Sequence, residues 1–269
     1  MVEVIEQLDG WRQQFAAWKS KHVSNQESLD GYPFVENARA PFTPSRRALP
    51  MLNLALISSA GAYIDGTDPF DISAPDGDYT FREIPTEIDP VDLRFSARGY
   101  DPAFVRQDVN VQLPLERLFE FEANRVIGQL NSAFWSFCGF IPDAALLVGV
   151  MLPKLVDRLK HYEVQAALLI PASRLCHQSV ALAARAIEQA GIPTMMLAVE
   201  RDIIEQVHPP RAGFYQGQFG SVAGKPNWPE HQRRVLDEAL RWIETADQPG
   251  NNKLAVELES QVEAGRGER

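Results

Sequence analysis

The stretch that decides the fold is residues 164–199, which read VQAALLIPASRLCHQSVALAARAIEQAGIPTMMLAV. The apolar run at 164–170 predicts a buried strand, and the helical spacing of apolar residues over 175–190 predicts a helix that ends at Gly191. Residues 194–199 predict a second buried strand. Strand, helix and strand in this order form a parallel unit with a right-handed crossover. The chain is therefore predicted to be an α/β protein with a mostly parallel sheet, flanking helices and a Rossmann-like core.

The junction between the first strand and the helix is the first candidate site. In an open α/β sheet, ligands bind beyond the carboxyl ends of the strands. If the helix begins near Arg174, Ser173 is its N-cap, and the serine hydroxyl accepts the backbone N–H of Cys176. The Cys176 thiol then lies in the electropositive first turn. We expect it to be exposed to a cavity and to have a pKa below that of a free thiol.

A structural interpretation of the same junction stays open. Ser173 can act only as a cap, and Cys176 can be a small buried residue. His177 is a candidate for stabilising a Cys176 thiolate or for carrying a proton, although consecutive helical residues point about 100° apart. Cys176, Ser173 and His177 are therefore the candidate catalytic residues.

A stripe of apolar residues at helical spacing occurs near the N-terminus. It consists of Val4, Leu8, Trp11, Phe15 and Trp18. The stripe predicts an amphipathic helix over residues 3–20, whose aromatic face packs either on the chain's own core or on a partner. Four prolines lie between residues 33 and 50, which predicts an arm or linker.

The chain is predicted to have three parts. They are an N-terminal helix with a proline-rich arm at 1–50, an α/β domain at 51–247, and a polar, mobile tail at 248–269. Within the middle part, strands are predicted at 54–57 and, more weakly, at 93–96 and 109–113, and helices at 115–126, 144–161 and 229–245. Pro153 predicts a kink or break inside its helix.

Composition excludes several classes of function. The 269-residue chain has a formal charge of −10 and a pI near 5.0, and it lacks the clustered Lys and Arg that nucleic-acid binding requires. No apolar stretch has the length of a bilayer span, and the first residues do not resemble a secretory signal. Cys138 and Cys176 form neither a C-x-x-C pair nor a zinc pattern. We expect a cytoplasmic protein with free thiols and no membrane or nucleic-acid partner.

Two loops have compositions that are found in ligand sites. Aspartates crowd residues 65–78, but their spacing does not match a calcium loop, so a solvated loop and no metal are expected. Gly217, Gly220 and Gly224 follow Arg211 in a loop whose backbone N–H groups, together with that guanidinium, are suited to a carboxylate. Dinucleotide and P-loop motifs are not found after any predicted strand, so they receive no support.

Short motifs along residues 50–235 resemble one known family. They are, in chain order, Ser59-Ala60-Gly61, Gly77-Asp78-Tyr79-Thr80-Phe81-Arg82-Glu83-Ile84-Pro85, Gly99-Tyr100-Asp101, Ser173-x-x-Cys176-His177-Gln178-Ser179-Val180, Ala186-Ile187-Glu188-x-Ala190-Gly191-Ile192-Pro193-Thr194, Arg201-Asp202, Pro209-Pro210-Arg211 and Gly224-x-Pro226. Their order and spacing resemble the selenoprotein B family of glycine, sarcosine, betaine and D-proline reductases. The resemblance implies an oxidoreductase subunit that works in a homo- or hetero-oligomeric complex.

The resemblance also implies a chemistry. In that family, a selenocysteine in a U-x-x-C motif attacks the carbon α to a carboxylate, a C–N bond breaks, and the neighbouring cysteine closes a Se–S bond. The substrate amine is held on a pyruvoyl group of a separate subunit. The implied partners are thus an amino acid-like substrate, a pyruvoyl-containing subunit and a thiol reductant, with no cofactor on this chain. Ser59, Arg82, Tyr100 and Arg211 lie within the matching motifs and are expected to bind substrate.

The position that matches selenocysteine is Ser173, and Cys176 matches the resolving cysteine. A serine hydroxyl has no redox chemistry and is a weak nucleophile without an activating base. Three functions stay open: a thiol-based enzyme acting through Cys176, a non-redox protein in which Ser173 and the helix N-terminus bind an anion, and a catalytically silent subunit that docks a partner.

Overall fold

A parallel sheet forms the centre of the computed structural model, which describes residues 2–21 and 28–256. The strands are β1 (Asn53–Ser58), β2 (Ala62–Ile64), β3 (Arg82–Pro85), β4 (Leu93–Phe95), β5 (Gln129–Leu130), β6 (Ala133–Ser136), β7 (Ala166–Ile170), β8 (Thr194–Ala198), β9 (Arg211–Phe214) and β10 (Gly250–Lys253). Eight of them make one sheet in the order β10-β9-β8-β7-β1-β6-β3, with β5 also beside β1. In this sheet only β3 runs antiparallel to its neighbour, whereas β2 and β4 form a separate antiparallel pair.

Helices cover both faces of the sheet. They are α1 (Leu8–Lys21), α2 (Ala103–Gln107), α3 (Leu115–Ala123), α4 (Ala144–Leu146), α5 (Leu152–His161), α6 (Arg174–Gln189), α7 (Arg201–Val207) and α8 (Pro229–Thr245). One core contains residues of α1, α5, α6 and α7, and the other contains residues of α3 and α8. Along β1, Ala55 and Ile57 enter the first core and Leu54 and Leu56 the second, as the alternation of a strand requires. The predicted α/β class is confirmed.

The predicted strand–helix–strand unit consists of β7, α6 and β8. Both strands are buried along their whole length, because a parallel sheet covered on both faces takes continuous apolar strands. From β1 the chain goes to β6 on one side and then to β7 on the other, so the strand order reverses between β1 and β7. Ligands bind at such switch points, and here the two strands end side by side at Ser58 and Ile170.

The N-terminal helix α1 packs on the chain's own core. Trp11, Phe15 and Trp18 are buried, and the rings of Trp11 and Phe15 stack with their centroids 4.9 Å apart. Tyr32, from the segment that follows, meets the ring of Trp18 edge-on at 5.1 Å. Of the two interpretations open from the sequence, the structure supports the one in which the aromatic stripe belongs to the core.

Arg185 joins the N-terminal segment to α6. Its fully buried guanidinium donates hydrogen bonds to the carbonyls of Glu3 at 2.6 Å, Val4 at 2.8 Å, Arg39 at 2.7 Å and His208 at 2.7 Å. Burial lowers the pKa of Arg185 to about 10, so the group remains charged at neutral pH. A buried charge is tolerated only when its donors are satisfied. Here the carbonyls of Glu3 and Val4, at the start of the chain, accept two of the hydrogen bonds.

Residues 109–113, predicted as a weak strand, form no strand. Val109–Val111 is a 3₁₀ turn, and the Asp108 side chain accepts the N–H of Asn110 at 2.9 Å to start it. Val111 and Leu113 are buried, and Leu113 belongs to the core that contains residues of α3 and α8. A short apolar run has the same composition in a strand and in a buried turn, so the sequence does not distinguish them.

A kink or break was expected at Pro153; the structure has helical residues throughout 144–161, and only the type of helix changes beside the proline. A π-helical turn, Leu147–Met151, precedes α5, and the proline lies in the first turn of α5. At that position the missing N–H of proline leaves no intrahelical hydrogen bond unmade. The strands predicted at 54–57 and 93–96 and the helix predicted at 229–245 also appear in the structure.

The C-terminal part begins with a strand. Gly250–Lys253 forms β10 at the sheet edge, parallel to β9, so the boundary predicted at residue 248 falls before the last strand of the sheet. The polar composition of β10 reflects its exposed edge position. Residues 257–269, the remainder of the predicted tail, lie outside the described residues. In the described ranges, the helices are too short or too polar for a membrane span.

We expect Arg185→Met to lower the free energy of unfolding by about 3 kcal/mol, because several buried carbonyls lose their donor. Urea denaturation measures this, and limited proteolysis should show faster cleavage within residues 1–50. Arg12→Met is the matched control, because the Arg12 side chain is 56% exposed and its partner Asp9 lies on the surface. An equal loss of stability in both variants would contradict the anchoring role.

Candidate active site

Ser173 occupies the predicted N-cap of α6. Its backbone is extended, with φ −137° and ψ 178°, and its Oγ accepts the N–H of Cys176 at 3.2 Å. The same hydroxyl donates a hydrogen bond to the Cys176 Sγ, with an O–S distance of 3.0 Å. One oxygen therefore contacts both the backbone and the thiol of the residue one turn later, and the predicted cap is confirmed.

Cys176 lies in a closed environment rather than at an open cavity. The residue is 1% exposed and packs with Ala172 and the ring of Tyr100. Burial raises the pKa of the Cys176 thiol, and the hydrogen bonds with Ser173 and Ser59 lower it by a smaller amount. The expected exposure and lowered pKa were wrong. Burial destabilises the thiolate by more than the positive end of the helix dipole stabilises it.

His177 binds the backbone on both sides of its ring. Its Nε2 accepts the N–H of Val199 at 3.0 Å, so Nδ1 carries the proton and donates it to the Ser173 carbonyl at 2.6 Å. Burial lowers the pKa of His177 to about 4, which keeps the ring neutral at pH 7. His177 therefore links the start of α6 to the end of β8, and this placement corrects the expectation that it pairs with Cys176.

Two of the expected substrate-binding residues do lie beside Cys176. Ser59, directly after β1, accepts the N–H of Ala172 with its Oγ at 3.0 Å, and its carbonyl accepts the Cys176 thiol at 3.9 Å. The Tyr100 hydroxyl donates to the carbonyl of Ala60 at 2.7 Å. These contacts join the carboxyl ends of β1 and β7 around the sulfur.

Gly139 sets how closely the chain after β6 approaches this site. A Cβ at this position would lie 2.9 Å from the Cys176 Sγ and 2.4 Å from the Ser59 Cβ, so a larger residue does not fit without displacement. Ser179, on the next turn of α6, donates its hydroxyl to the Gly139 carbonyl at 2.8 Å. Sequence reasoning missed Gly139, whose one signal is that it follows the aromatic run 134–138.

Arg211 lies at the opposite end of the parallel strands, where they begin. It begins β9, whereas Ser173 follows the end of the parallel strand β7. Its buried guanidinium pairs with the buried carboxylate of Glu188 and stacks on the ring of Phe42, 4.1 Å from its centroid. Arg211 was expected to bind a substrate carboxylate with the glycine-containing loop that follows it, but in the structure the carboxylate that it binds is that of Glu188.

Arg82 is the first residue of β3, and its side chain contacts the aspartate-rich loop. It donates to the carbonyls of Asp68 at 3.2 Å and Pro69 at 3.4 Å, and it lies over the ring of Phe70 at 4.3 Å. These contacts hold the loop against the start of β3, and Arg82 has no contact with Cys176 among the hydrogen bonds of the described residues. Among the residues that the structure covers, no His, Cys, Asp and Glu side chains are grouped as metal ligands.

Residues 218–223, here called the strap, cross the junction from outside. The Gly220 N–H donates to the Ala172 carbonyl at 2.9 Å, and the Ala223 N–H donates to the Val111 carbonyl at 2.8 Å. Phe219 meets the His177 ring, with 5.9 Å between centroids. These two N–H groups of the strap are therefore already bonded to carbonyls of this chain. The strap covers the turn that carries Ser173.

Comparison with known proteins gives the same family as the motifs. The family model described as glycine/sarcosine/betaine reductase selenoprotein B (GRDB) matches residues 21–172, which is more than half of the chain and ends directly before Ser173. The chain belongs to this family. No solved structure matches it.

Relatives of the GRDB family differ in how much of their length this chain covers. D-proline reductase subunit gamma of Acetoanaerobium sticklandii is 30% identical over 202 residues, which are 75% of this chain and 82% of that protein. Glycine reductase complex component B subunit gamma of Symbiobacterium thermophilum is 27% identical over 61% of this chain, and sarcosine reductase complex component B subunit beta of Peptoclostridium acidaminophilum is 29% identical over 62%. The chain covers only 38% of each of these two.

We expect the contribution of His177 to the free energy of unfolding to decrease by about 3 kcal/mol as the pH falls through the window between the ordinary and lowered pKa values of this residue, from 6.5 to about 4. In this window the unfolded chain binds a proton that the buried ring does not take. Urea denaturation at several pH values measures the slope. His177→Gln should flatten it, whereas the exposed-site control His161→Gln should retain it; an unchanged slope in both would contradict the assignment.

We expect Ser173→Cys to form a disulfide with Cys176, because the present oxygen and sulfur are 3.0 Å apart at the start of a helix. The variant is made on a Cys138→Ser background, so that no other thiol competes. After mild oxidation and unfolding, thiol titration should find no free thiol, while the Cys138→Ser control retains one. Two remaining thiols in the double variant would show that the side chains do not face each other.

Proposed function

We propose that the chain is a subunit of a reductase complex and that Cys176 takes part in reductive cleavage of a C–N bond. The observation that supports this most directly is the 3.0 Å contact between the Ser173 hydroxyl and the Cys176 sulfur at the switch point of the sheet. The similar proteins are named as subunits of D-proline, glycine and sarcosine reductases. All three compounds are α-amino carboxylates, so we propose a substrate of that class.

The proposed reaction uses Cys176 as the nucleophile of this chain. Its thiolate attacks the carbon α to the carboxylate, a C–S bond forms, and the C–N electron pair goes to nitrogen, which takes a proton. A thiol of an external reductant then attacks the Cys176 sulfur, and the C–S electron pair goes to carbon, which also takes a proton. A second thiol releases Cys176 from the mixed disulfide. The two external thiols supply the electrons and end as a disulfide.

Ser173 acts in this proposal as a positioning residue. Its hydroxyl contributes no electrons, but its hydrogen bond favours the ionised form of the Cys176 thiol and so opposes the effect of burial on the pKa. This contact replaces the pairing with His177 that the sequence suggested. Serine has no redox chemistry, so Ser173 does not supply the resolving thiol, and the proposal takes that thiol from an external reductant.

The partner groups of the proposal follow from what surrounds Cys176. The polar groups of Ser59, Ser173 and Tyr100 at the site are hydroxyls and backbone carbonyls, which do not bind an amine covalently. A pyruvoyl group, which the family resemblance implies, would therefore belong to a partner subunit. Both cysteines of the chain are free, and a thiol-dependent reaction suits the reducing cytoplasm.

A second candidate is a catalytically silent subunit that binds or assembles. It is favoured by the burial of Cys176, which is 1% exposed and has a raised pKa, and by the serine at position 173. In this candidate the strand–helix junction holds an anion at the start of α6, with Ser173 as one donor, and the reductive chemistry takes place on another chain.

The deciding experiment is an activity assay on the native protein purified with its co-purifying subunits. Reduction of D-proline, sarcosine and glycine is followed with dithiothreitol as the thiol donor. Cys176→Ser should reduce turnover by at least about 100-fold, because the nucleophile is lost. Cys138→Ser removes the other buried thiol and should stay within about twofold of the unchanged protein. Equal activity of the two variants, or no turnover by the unchanged complex, favours the silent subunit.

A further inference from the structure

Gln112 is a fully buried amide beside the turn that carries Ser173. Its side chain has no exposure to solvent, and its Nε2 donates to the carbonyl of Pro171 at 3.4 Å. Pro171 lies directly after β7 and two residues before the cap of α6. Gln112 thus contacts the chain at the switch point of the sheet, where β7 ends.

The carbonyl oxygen of this amide, Oε1, has no hydrogen-bond partner within the described part of the chain. Buried polar atoms are nearly always paired, because an unpaired one loses its hydration without compensation. Gln178, a comparably buried amide on α6, shows the usual arrangement: its Oε1 accepts the N–H of Val35 at 2.7 Å, and its Nε2 donates to the Tyr32 hydroxyl at 2.8 Å.

The contact with Pro171 fixes which end of the amide is available. If the Gln112 amide were turned over, its oxygen would face the carbonyl oxygen of Pro171, and two acceptors would oppose each other. The available end is therefore an acceptor. It suits an N–H donor, such as the ammonium group of an amino acid, and it does not suit a carboxylate.

The strap closes the space around this amide. Its hydrogen bonds end on Ala172, next to Pro171, and on Val111, next to Gln112. On the solvent side of the strap lies a cavity of about 390 Å³, whose lining includes Tyr215, Lys225 and Trp228. Gln218 and Ser221 of the strap also line this cavity, so the strap lies between the cavity and the residues that it bonds, Ala172 and Val111.

We propose that Gln112 Oε1 binds the ammonium group of an amino acid-like ligand at the strand–helix junction. The inference rests on the proposed function for its substrate class, and it assigns to Gln112 the binding of the free amino acid before any partner group engages the nitrogen. The carboxylate of the same ligand is directed toward the start of α6, where the helix dipole favours negative charge.

The test compares Gln112→Met with Gln178→Met in the full chain with its co-purifying subunits. The probes are D-proline and sarcosine, which carry an amine, and acetate, which does not. Calorimetry measures their Kd without turnover. Gln112→Met should raise the Kd of both amine probes about 10-fold and leave that of acetate within about twofold. The ligand-free variant should melt about 2–4 °C higher, because an unpaired acceptor is removed, whereas Gln178→Met should melt lower.

Each other result overturns the proposal. An unchanged Kd for the amine probes shows that Gln112 does not bind the ammonium group, whatever the melting temperature does. An equal weakening of acetate shows general damage to the site, and an unchanged protein that binds neither amine probe has no such site. Loss of the Cys176 dependence of turnover would refute the proposed chemistry but leave this binding measurement intact, so the two failures are distinguishable.

Discussion

The parallel pairing of β1 with β7 is the contact on which the rest of the structure depends. Its register runs from Leu54 opposite Ala166 to Ser58 opposite Ile170, so the chain leaves both strands at the same level. Ser59 and the turn before Ser173 therefore meet, and the hydroxyl of the first receives an N–H from the second. A shift of the register by one residue would turn each apolar side chain to the other face and separate the groups that surround Cys176.

The chemistry of the site is decided by a competition between solvation and local polarity. The start of α6 and the hydroxyl of Ser173 favour a negative charge on Cys176, but burial disfavours it more strongly and raises the pKa of the thiol. His177 responds to the same environment in the opposite direction, since burial lowers its pKa. In both cases burial favours the neutral form of the group.

Local features of the sequence predicted local features of the structure. The strand–helix–strand unit follows from the apolar pattern inside each of its elements, and the cap at Ser173 follows from residues one turn apart; both are confirmed. The burial of Cys176 and the pairing of Arg211 with Glu188 depend on segments far apart in sequence. Gln112 gave no signal at all, because its stretch has the composition of a strand and its unpaired oxygen exists only in the tertiary packing.

The helix α6 is held at both of its ends by different parts of the molecule. Its first turn carries Ser173 and Cys176 against the ends of β1 and β7, and its later turns hold the N-terminal segment through Arg185. A helix transmits displacement along its axis because its internal hydrogen bonds resist stretching. The first residues of the chain and the sulfur of Cys176 are therefore attached to one and the same helix, about two and a half turns apart.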